Sequence, residues 1–442
     1  MAGGIFSKQD KVRPGVYQNI YTNKNQNLNA GVNGVVAIAL ELDFGPEEAI
    51  TKIEKETDIY NKLGYTLDDE KVLLLKEIMK ATNQILVYRL NTGEKAKATI
   101  DTDKTITAKY GGTKGNDISV IISNNVEENT KYDVFTYLNG TKVDEQTITK
   151  YEDFVDNGYI TIEGTGTITE ATTAKLTGGT STEIDTEAEE TEYTKFLTAL
   201  ELQNYNYIAY TGTSSTVKSL IVAFVKRMND EEGIRVKAVM GEYSADYEKI
   251  ITIKNGVILE DGTILTKEQC AAYVAALSAS SDINVSNTYS QYPGAVDANP
   301  RLNNSDTIKA LKAGNIVFTR RNDDSVVIEQ DINSLITYTT NKNSSFSKNR
   351  FIRAIDTLAS EIKEIFEENF IGKLSNNEDG RSILRAEIIN NIKEKEAIGA
   401  FQNFTEEDVT VSAGTDIDSV VIEVLVQPVD SIEKIYMNVE VQ

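Results

Sequence analysis

Strand–helix–strand patterning lies on both sides of a long stretch of different texture, and that interruption limits the fold more than any other feature of the chain. On the N-terminal side, an apolar strand at Val35–Leu40, a helical segment and a second apolar strand at Ile85–Leu90 follow one another in α/β order. Between Gly93 and Gly179 the sequence turns Thr-rich and Gly-punctuated, with short alternating runs such as Ile118-Ser-Val-Ile-Ile and Tyr132-Asp-Val-Phe-Thr-Tyr-Leu. Such runs predict β-strands. From Glu187 the helical period returns with Phe196, Leu197, Leu200 and Leu202. A strand at Tyr207–Tyr210, a helix over Thr216–Met228, strands at Val236–Met240 and Ile250–Ile253 and a helix over Lys267–Ser278 then alternate. The economical reading is a multidomain α/β chain in which a doubly wound α/β domain with a parallel sheet is interrupted by an inserted all-β sandwich; two separate domains are the alternative.

The expected boundaries are an N-terminal arm over 1–30, the first part of the α/β core over 31–92, the sandwich over 93–180, the rest of the α/β domain over 181–335, a C-terminal α/β domain over 336–419 and a terminal strand and arm over 420–442. Local signals sharpen this outline. Thr66 is placed to cap a helix whose first turn carries Asp69 and Glu70 and whose apolar face is Val72, Leu73, Leu75, Ile78 and Met79. Asn139-Gly140 between two strand-like runs predicts a two-residue hairpin, because both residues tolerate positive φ. Further on, Phe351, Ile355, Leu358, Ile362, Ile365 and Phe366 form a helical stripe that some other element must cover.

Both ends carry candidate assembly residues. The last residues alternate, with Ile435, Met437, Val439 and Val441 on one face and Asn438 and Glu440 on the other, which is a half-buried strand lacking an obvious partner. Near the start, Pro14-Gly15-Val16-Tyr17 is a turn-like opening to an extended piece. The candidate subunit-interface residues are Pro14, Gly15, Val16, Tyr17, Val420, Ile422, Val424, Ile435, Tyr436, Met437, Val439 and Val441.

Charge and composition set limits on function. A net charge of -23 repels a phosphate backbone, so direct nucleic-acid binding is disfavoured and association of like copies needs directional contacts. The 442 residues include no histidine, which rules out a Ser-His-Asp or Cys-His centre. The single cysteine, Cys270, is expected to be a small packing residue. Gly111-Gly112-Thr113-Lys114-Gly115 imitates a phosphate loop but precedes a β-run instead of a helix. Around Asp261, Gly262 and Glu268 a calcium loop would need side-chain oxygens at Val257 and Leu259, so a hairpin turn is expected. The acidic run Glu187, Glu189, Glu190 and Glu192 fits a solvated helix start. No catalytic residue, cofactor or metal ligand is therefore assigned, and no apolar run suggests a secretory leader or membrane span, so synthesis and retention in cytoplasm are expected. A histidine-free hydrolase and an adhesin or surface-layer protein are the alternative classes.

Taken in order, several short segments resemble the tail sheath proteins of contractile-tailed phages, defective prophage particles and R-type bacteriocins. They are Arg13-Pro-Gly-Val-Tyr17, Gly115-Asn-Asp-Ile-Ser-Val-Ile121, Asn284-Val-Ser-Asn-Thr288 with Pro293-Gly-Ala, Asp331-Ile-Asn-Ser-Leu335, Lys348-Asn-Arg-Phe-Ile-Arg353, Ile371-Gly-Lys373 and Glu433-Lys-Ile-Tyr-Met-Asn-Val439. The resemblance implies a subtilisin-like middle domain, an inserted β-sandwich and a C-terminal domain facing a tail tube. It also implies a helical homopolymer of stacked rings whose terminal arms add strands to neighbouring subunits. The partners implied are further copies of the chain, the tail tube protein, and baseplate and tail terminator proteins, in a particle assembled in a bacterial cytoplasm and released by lysis.

Overall fold

The structure is a computed structural model that describes residues 2–4, 15–17, 34–101 and 103–440. The N-terminal segment forms its own unit, in which Ala2–Gly4 and Gly15–Tyr17 pair as short parallel strands. Pro14 lies outside the described residues, as does Val441 at the other end.

In the larger unit a seven-stranded sheet draws strands from both sides of the interruption, in the spatial order Asn315–Ile316, Ile250–Ile253, Lys237–Gly241, Tyr207–Tyr210, Val35–Leu40, Gln84–Arg89, Ile50–Ile53. All neighbours are parallel except the last pair, where Ile50–Ile53 runs antiparallel at the edge. Because side chains alternate across a strand, one sequence feeds two cores. Val36, Ile38, Val87, Ala209, Val239 and Ile251 face a core closed by the helices Leu73–Met79 and Cys270–Ser280. Ala37, Ala39, Tyr88, Ile208, Tyr210 and Met240 face the opposite core, closed by Thr186–Leu200 and Ser215–Asp230. Cys270 is fully buried on its helix, and burial pushes its thiol well above the ordinary range.

The interruption folds as two antiparallel sheets around one core. The larger has the order Thr141–Ile148, Tyr132–Leu138, Ile118–Asn124, Thr172–Lys175, and the smaller Ile160–Glu163, Lys104–Ala108, Lys97–Asp101. Asn139 (φ 50°) and Gly140 (φ 79°) make the predicted hairpin between Tyr132–Leu138 and Thr141–Ile148. Asp261 likewise sits in a hairpin turn joining Gly256–Leu259 to Ile264–Leu265, where its carboxylate accepts a bond from the Thr263 amide at 2.9 Å.

One helix start is corrected. Thr66 does not cap a helix: its amide donates to the Asp69 carboxylate at 3.1 Å in a turn, and a single 3₁₀ turn at Glu70–Val72 precedes the α-helix Leu73–Met79. The Asp69 amide, from which a capping Thr66 hydroxyl would have accepted a bond, donates instead to the Thr66 carbonyl at 3.1 Å.

The C-terminal region packs the helices Asn349–Asn369 and Glu378–Ala397 against a hairpin, Val409–Ala413 with Val420–Val424. A two-residue ladder joins Phe401–Gln402 to Gln427–Pro428. Beyond Pro428 no further strand or helix forms among the described residues. Among the described helices, none is long and apolar enough to cross a membrane.

Candidate assembly site

The helix Asn349–Asn369 is built with two different faces. Leu358 is buried, and Ile362, Ile365 and Phe366 pack towards Leu384, Ile388 and Ile392 of the next helix, as the apolar spacing requires. Its first two turns bury polar groups instead: Asn349, Arg350, Arg353 and Asp356 are all less exposed than the half-buried Phe351 and Ile355 that the stripe had placed inside. A buried charge is tolerated only when paired and hydrogen-bonded, and each of these finds partners across the boundary with the central sheet or within the C-terminal region.

Asp356 lies between two lysines. Lys237, at the start of one central strand, approaches its Oδ2 at 2.7 Å, and Lys249, just before the next strand, donates to its Oδ1. Burial opposes ionisation of this carboxyl, yet the two ammonium groups outweigh it and hold Asp356 below the usual carboxylate range. Lys249 is affected the other way: burial, with Lys237 and Arg235 nearby, overcomes the attraction of Asp356 and brings its ammonium down to about 8. Three residues along the helix, Arg353 donates to the Val285 carbonyl at 2.6 Å and to Asp331 at 3.3 Å. Asp331 also accepts from Asn349 Nδ2 at 2.8 Å and from the Asn287 amide at 3.0 Å.

The short segments that stood out in the sequence therefore meet at one place. Asn284–Thr288, Asp331–Leu335, Lys348–Arg353 and Glu433 come from four distant positions and interlock along this seam: Asn284 Nδ2 donates to the Ile398 carbonyl at 2.7 Å, and Thr288 Oγ1 donates to Glu433 at 2.8 Å. Sequence reading saw these segments but not their convergence. Arg353 and Asp356, three apart on one helical face and opposite in charge, were the available signal.

The chain leaves the body at Glu433. Every described residue after it, from Lys434 to Glu440, is exposed, with Ile435 at 83%, Tyr436 at 92%, Met437 at 77% and Val439 at 74%. The terminal alternation thus has no sheet of its own among the described residues. Val420, Ile422 and Val424 are placed differently: they form a strand paired in cis with Val409–Ala413 and turn half-buried side chains onto the C-terminal core. Their apolar face thus has a partner within the chain, whereas that of the terminal run has none among the described residues. Gly15, Val16 and Tyr17 pair with Ala2–Gly4.

Compared with known proteins, the whole length finds relatives. It is 36% identical, over 100% of both chains, to the phage-like element PBSX protein XkdK of Bacillus subtilis (strain 168). The chain belongs to the phage tail sheath protein family. Consecutive family domains cover this sheath protein: the N-terminal region of domain III of tail sheath protein Gp18 over 33–90, the β-sandwich domain over 91–185, the central domain over 186–334 and the C-terminal domain over 341–442. A crystal structure of the sheath tail protein from Desulfitobacterium hafniense is 39% identical, with a TM-score of 0.80 over 96% of this chain and 100% of that one. The contracted helical sheath of the anti-feeding prophage shares the fold at 13% identity, with a TM-score of 0.59 over 97% of this chain and 99% of that one.

Proposed function

We propose that this sheath protein polymerises helically around a tail tube and contracts to drive the tube through a target cell envelope, with the exposed C-terminal arm completing a β-layer of a neighbouring copy. The observation that carries the arm's role is the run Ile435–Val439, apolar, alternating and exposed at the end of a chain whose net charge of -23 otherwise opposes self-association. Pairing in trans is β-augmentation, in which ladder hydrogen bonds supply affinity and alternate side chains fix the register. Five such bonds at roughly 0.5–1.5 kcal/mol net each contribute several kcal/mol, on the scale of a domain's stability. Repeated head to tail, the contact generates an open helix.

On this reading the central sheet, with helices on both faces, is the subtilisin-like part of the family fold used purely as scaffold, and the protein is not an enzyme. The absence of histidine from the sequence supports a scaffold. Energy for contraction is stored at assembly, in an extended lattice that a baseplate signal releases, so no nucleotide is required. Partners are further copies of the chain, the tube, the baseplate and the tail terminator, in a particle built in a bacterial cytoplasm and freed by lysis. Interface contacts are assigned to Val420, Ile422, Val424, Ile435, Tyr436, Met437, Val439 and Val441 towards one end and to Pro14, Gly15, Val16 and Tyr17 towards the other.

Deleting residues 434–442 should leave the unfolding midpoint unchanged, because the described part of this segment is exposed and makes no ladder, while removing striated cylinders from negative-stain micrographs. Normal cylinders from the truncated chain would refute the arm's role.

A further inference from the structure

Among the described residues Glu433 is the last whose side chain is held by the body, and the hold is elaborate for a position seven residues from the end of the described structure. Its side chain is only 10% exposed although Ile432 before it is 88% exposed and Lys434 after it is also exposed. Oε1 accepts from Thr288 Oγ1 at 2.8 Å, and Oε2 accepts from Gln330 Nε2 at 2.6 Å and from Lys348 Nζ. Thr288 is itself fixed by the Asp331 amide, which donates to its Oγ1 at 3.0 Å. Three separate chain segments thus converge on one carboxylate. Burial opposes its ionisation, but the bonds from Lys348, Gln330 and Thr288 prevail and hold it below the usual carboxylate range.

Main-chain anchoring stops earlier. The last backbone bond to the body beyond the terminal ladder is from the Val429 amide to the Ala400 carbonyl, at 2.9 Å. Between Val429 and Glu433 the chain is attached through the Glu433 side chain, so this one group decides where the free arm begins. From Lys434 to Glu440 an extended chain reaches roughly 23–25 Å. Release of Glu433 would move the start back to Val429 and add roughly 13–14 Å of slack.

Resting on the arm's role in joining copies, we propose that Glu433 is a positioning residue: a charge-held clip that fixes the length and the departure point of the tether between sheath subunits. A polymer whose rings must keep register while they move needs tethers of one length. The clip supplies that without adding a strand to the body.

The test uses the full-length chain with a nitroxide attached to Ile432→Cys or, as the free-arm control, to Tyr436→Cys; Cys270 is fully buried and does not compete for label. In the unassembled wild type, the label at 432 should tumble measurably more slowly than the one at 436. Glu433→Ala should abolish that difference, and the charge swap Glu433→Lys with Lys348→Glu should restore part of it. Equal mobility at 432 and 436 in the wild type, or no change at 432 in Glu433→Ala, would overturn the proposal. The outcome is separable from the arm's role itself. If the 434–442 deletion still polymerises, the arm's role fails; if the deletion abolishes cylinders while Glu433→Ala leaves the label at 432 unchanged, only the clip fails.

Discussion

The central α/β body is joined to its two neighbours by opposite kinds of chemistry. Towards the sandwich the joint is apolar and backbone-tight. Phe44 from the body is fully buried in the sandwich core, edge-on to Tyr110 at 5.2 Å and stacked with Tyr159 at 6.3 Å. Gly112 passes so close to the body that a Cβ on it would lie 1.9 Å from the Asp43 carbonyl oxygen, and next to it Gly111 runs as close to the Gly93 carbonyl at the entry to the sandwich. Arg89 ties the same crossing by donating to the Gly45 and Gly111 carbonyls at 3.1 and 2.8 Å. Towards the C-terminal region the joint is ionic, built on Lys237, Lys249, Asp356, Arg353 and Asp331. Shape complementarity holds one neighbour, and charge balance holds the other. The first joint also carries the partly exposed ion pair of Lys114 with Asp69 at 3.8 Å, but its packing is less sensitive to pH than the second joint, which responds to any change in the number of its buried charges.

The largest effect expected from testing this contrast is at Asp356. Asp356→Ala leaves Lys237 and Lys249 buried without their shared counter-ion and should cost about 3–5 kcal/mol, read from urea midpoints. Next, Gly112→Ala should cost about 2–4 kcal/mol, because its φ of 130° disfavours a side chain and the Asp43 carbonyl would have to move. That loss should be the same at pH 7.5 and 9.5, since no titrating group contributes to it. A loss at Gly112 that varied with pH, or one at Asp356 below about 1 kcal/mol, would erase the distinction between the joints.

Much of the outline was legible in the sequence because period and turn chemistry are local. The strands Val35–Leu40 and Tyr207–Tyr210, the hairpin at Asn139-Gly140 and the helix around Phe351–Phe366 follow from patterns that need no partner to be recognised. What escaped was whatever depended on the partner. Arg353 and Asp356 have the composition of a solvated helix face, and only the arrival of Lys237, Lys249 and Asp331 from other strands and loops turns that face inward. Gly111–Gly115 looked like a weak phosphate loop; its glycines are explained by two chain crossings that spacing does not reveal. Ile435–Val439 alternates in sequence, but alternation states a need for a sheet without saying whose, and Val420–Val424, of similar texture, found its sheet in cis.

The smallest and most discriminating expected effect is at Lys249. Its ammonium titrates near 8 in the folded chain against 10.5 ordinarily, with burial as the main cause. Between those values the unfolded chain holds the proton and the folded chain has released it, so this group's contribution to stability rises with pH over the window and is lost as pH falls through about 8. Lys237, raised by Asp356 against the cost of its burial, acts in the opposite sense only above the ordinary lysine range. Lys249→Met removes the titration and leaves Asp356 paired with Lys237 alone, a replacement expected to be neutral or mildly stabilising at pH 7.5. The difference in unfolding free energy between wild type and Lys249→Met should therefore shift in favour of the wild type by about 1–2 kcal/mol from pH 7.5 to 9.5. Taking the difference cancels the tyrosines and other groups that titrate alike in both chains. A difference that stayed flat would mean that Lys249 keeps an ordinary ammonium, and the C-terminal joint would then be as insensitive to pH as the joint to the sandwich.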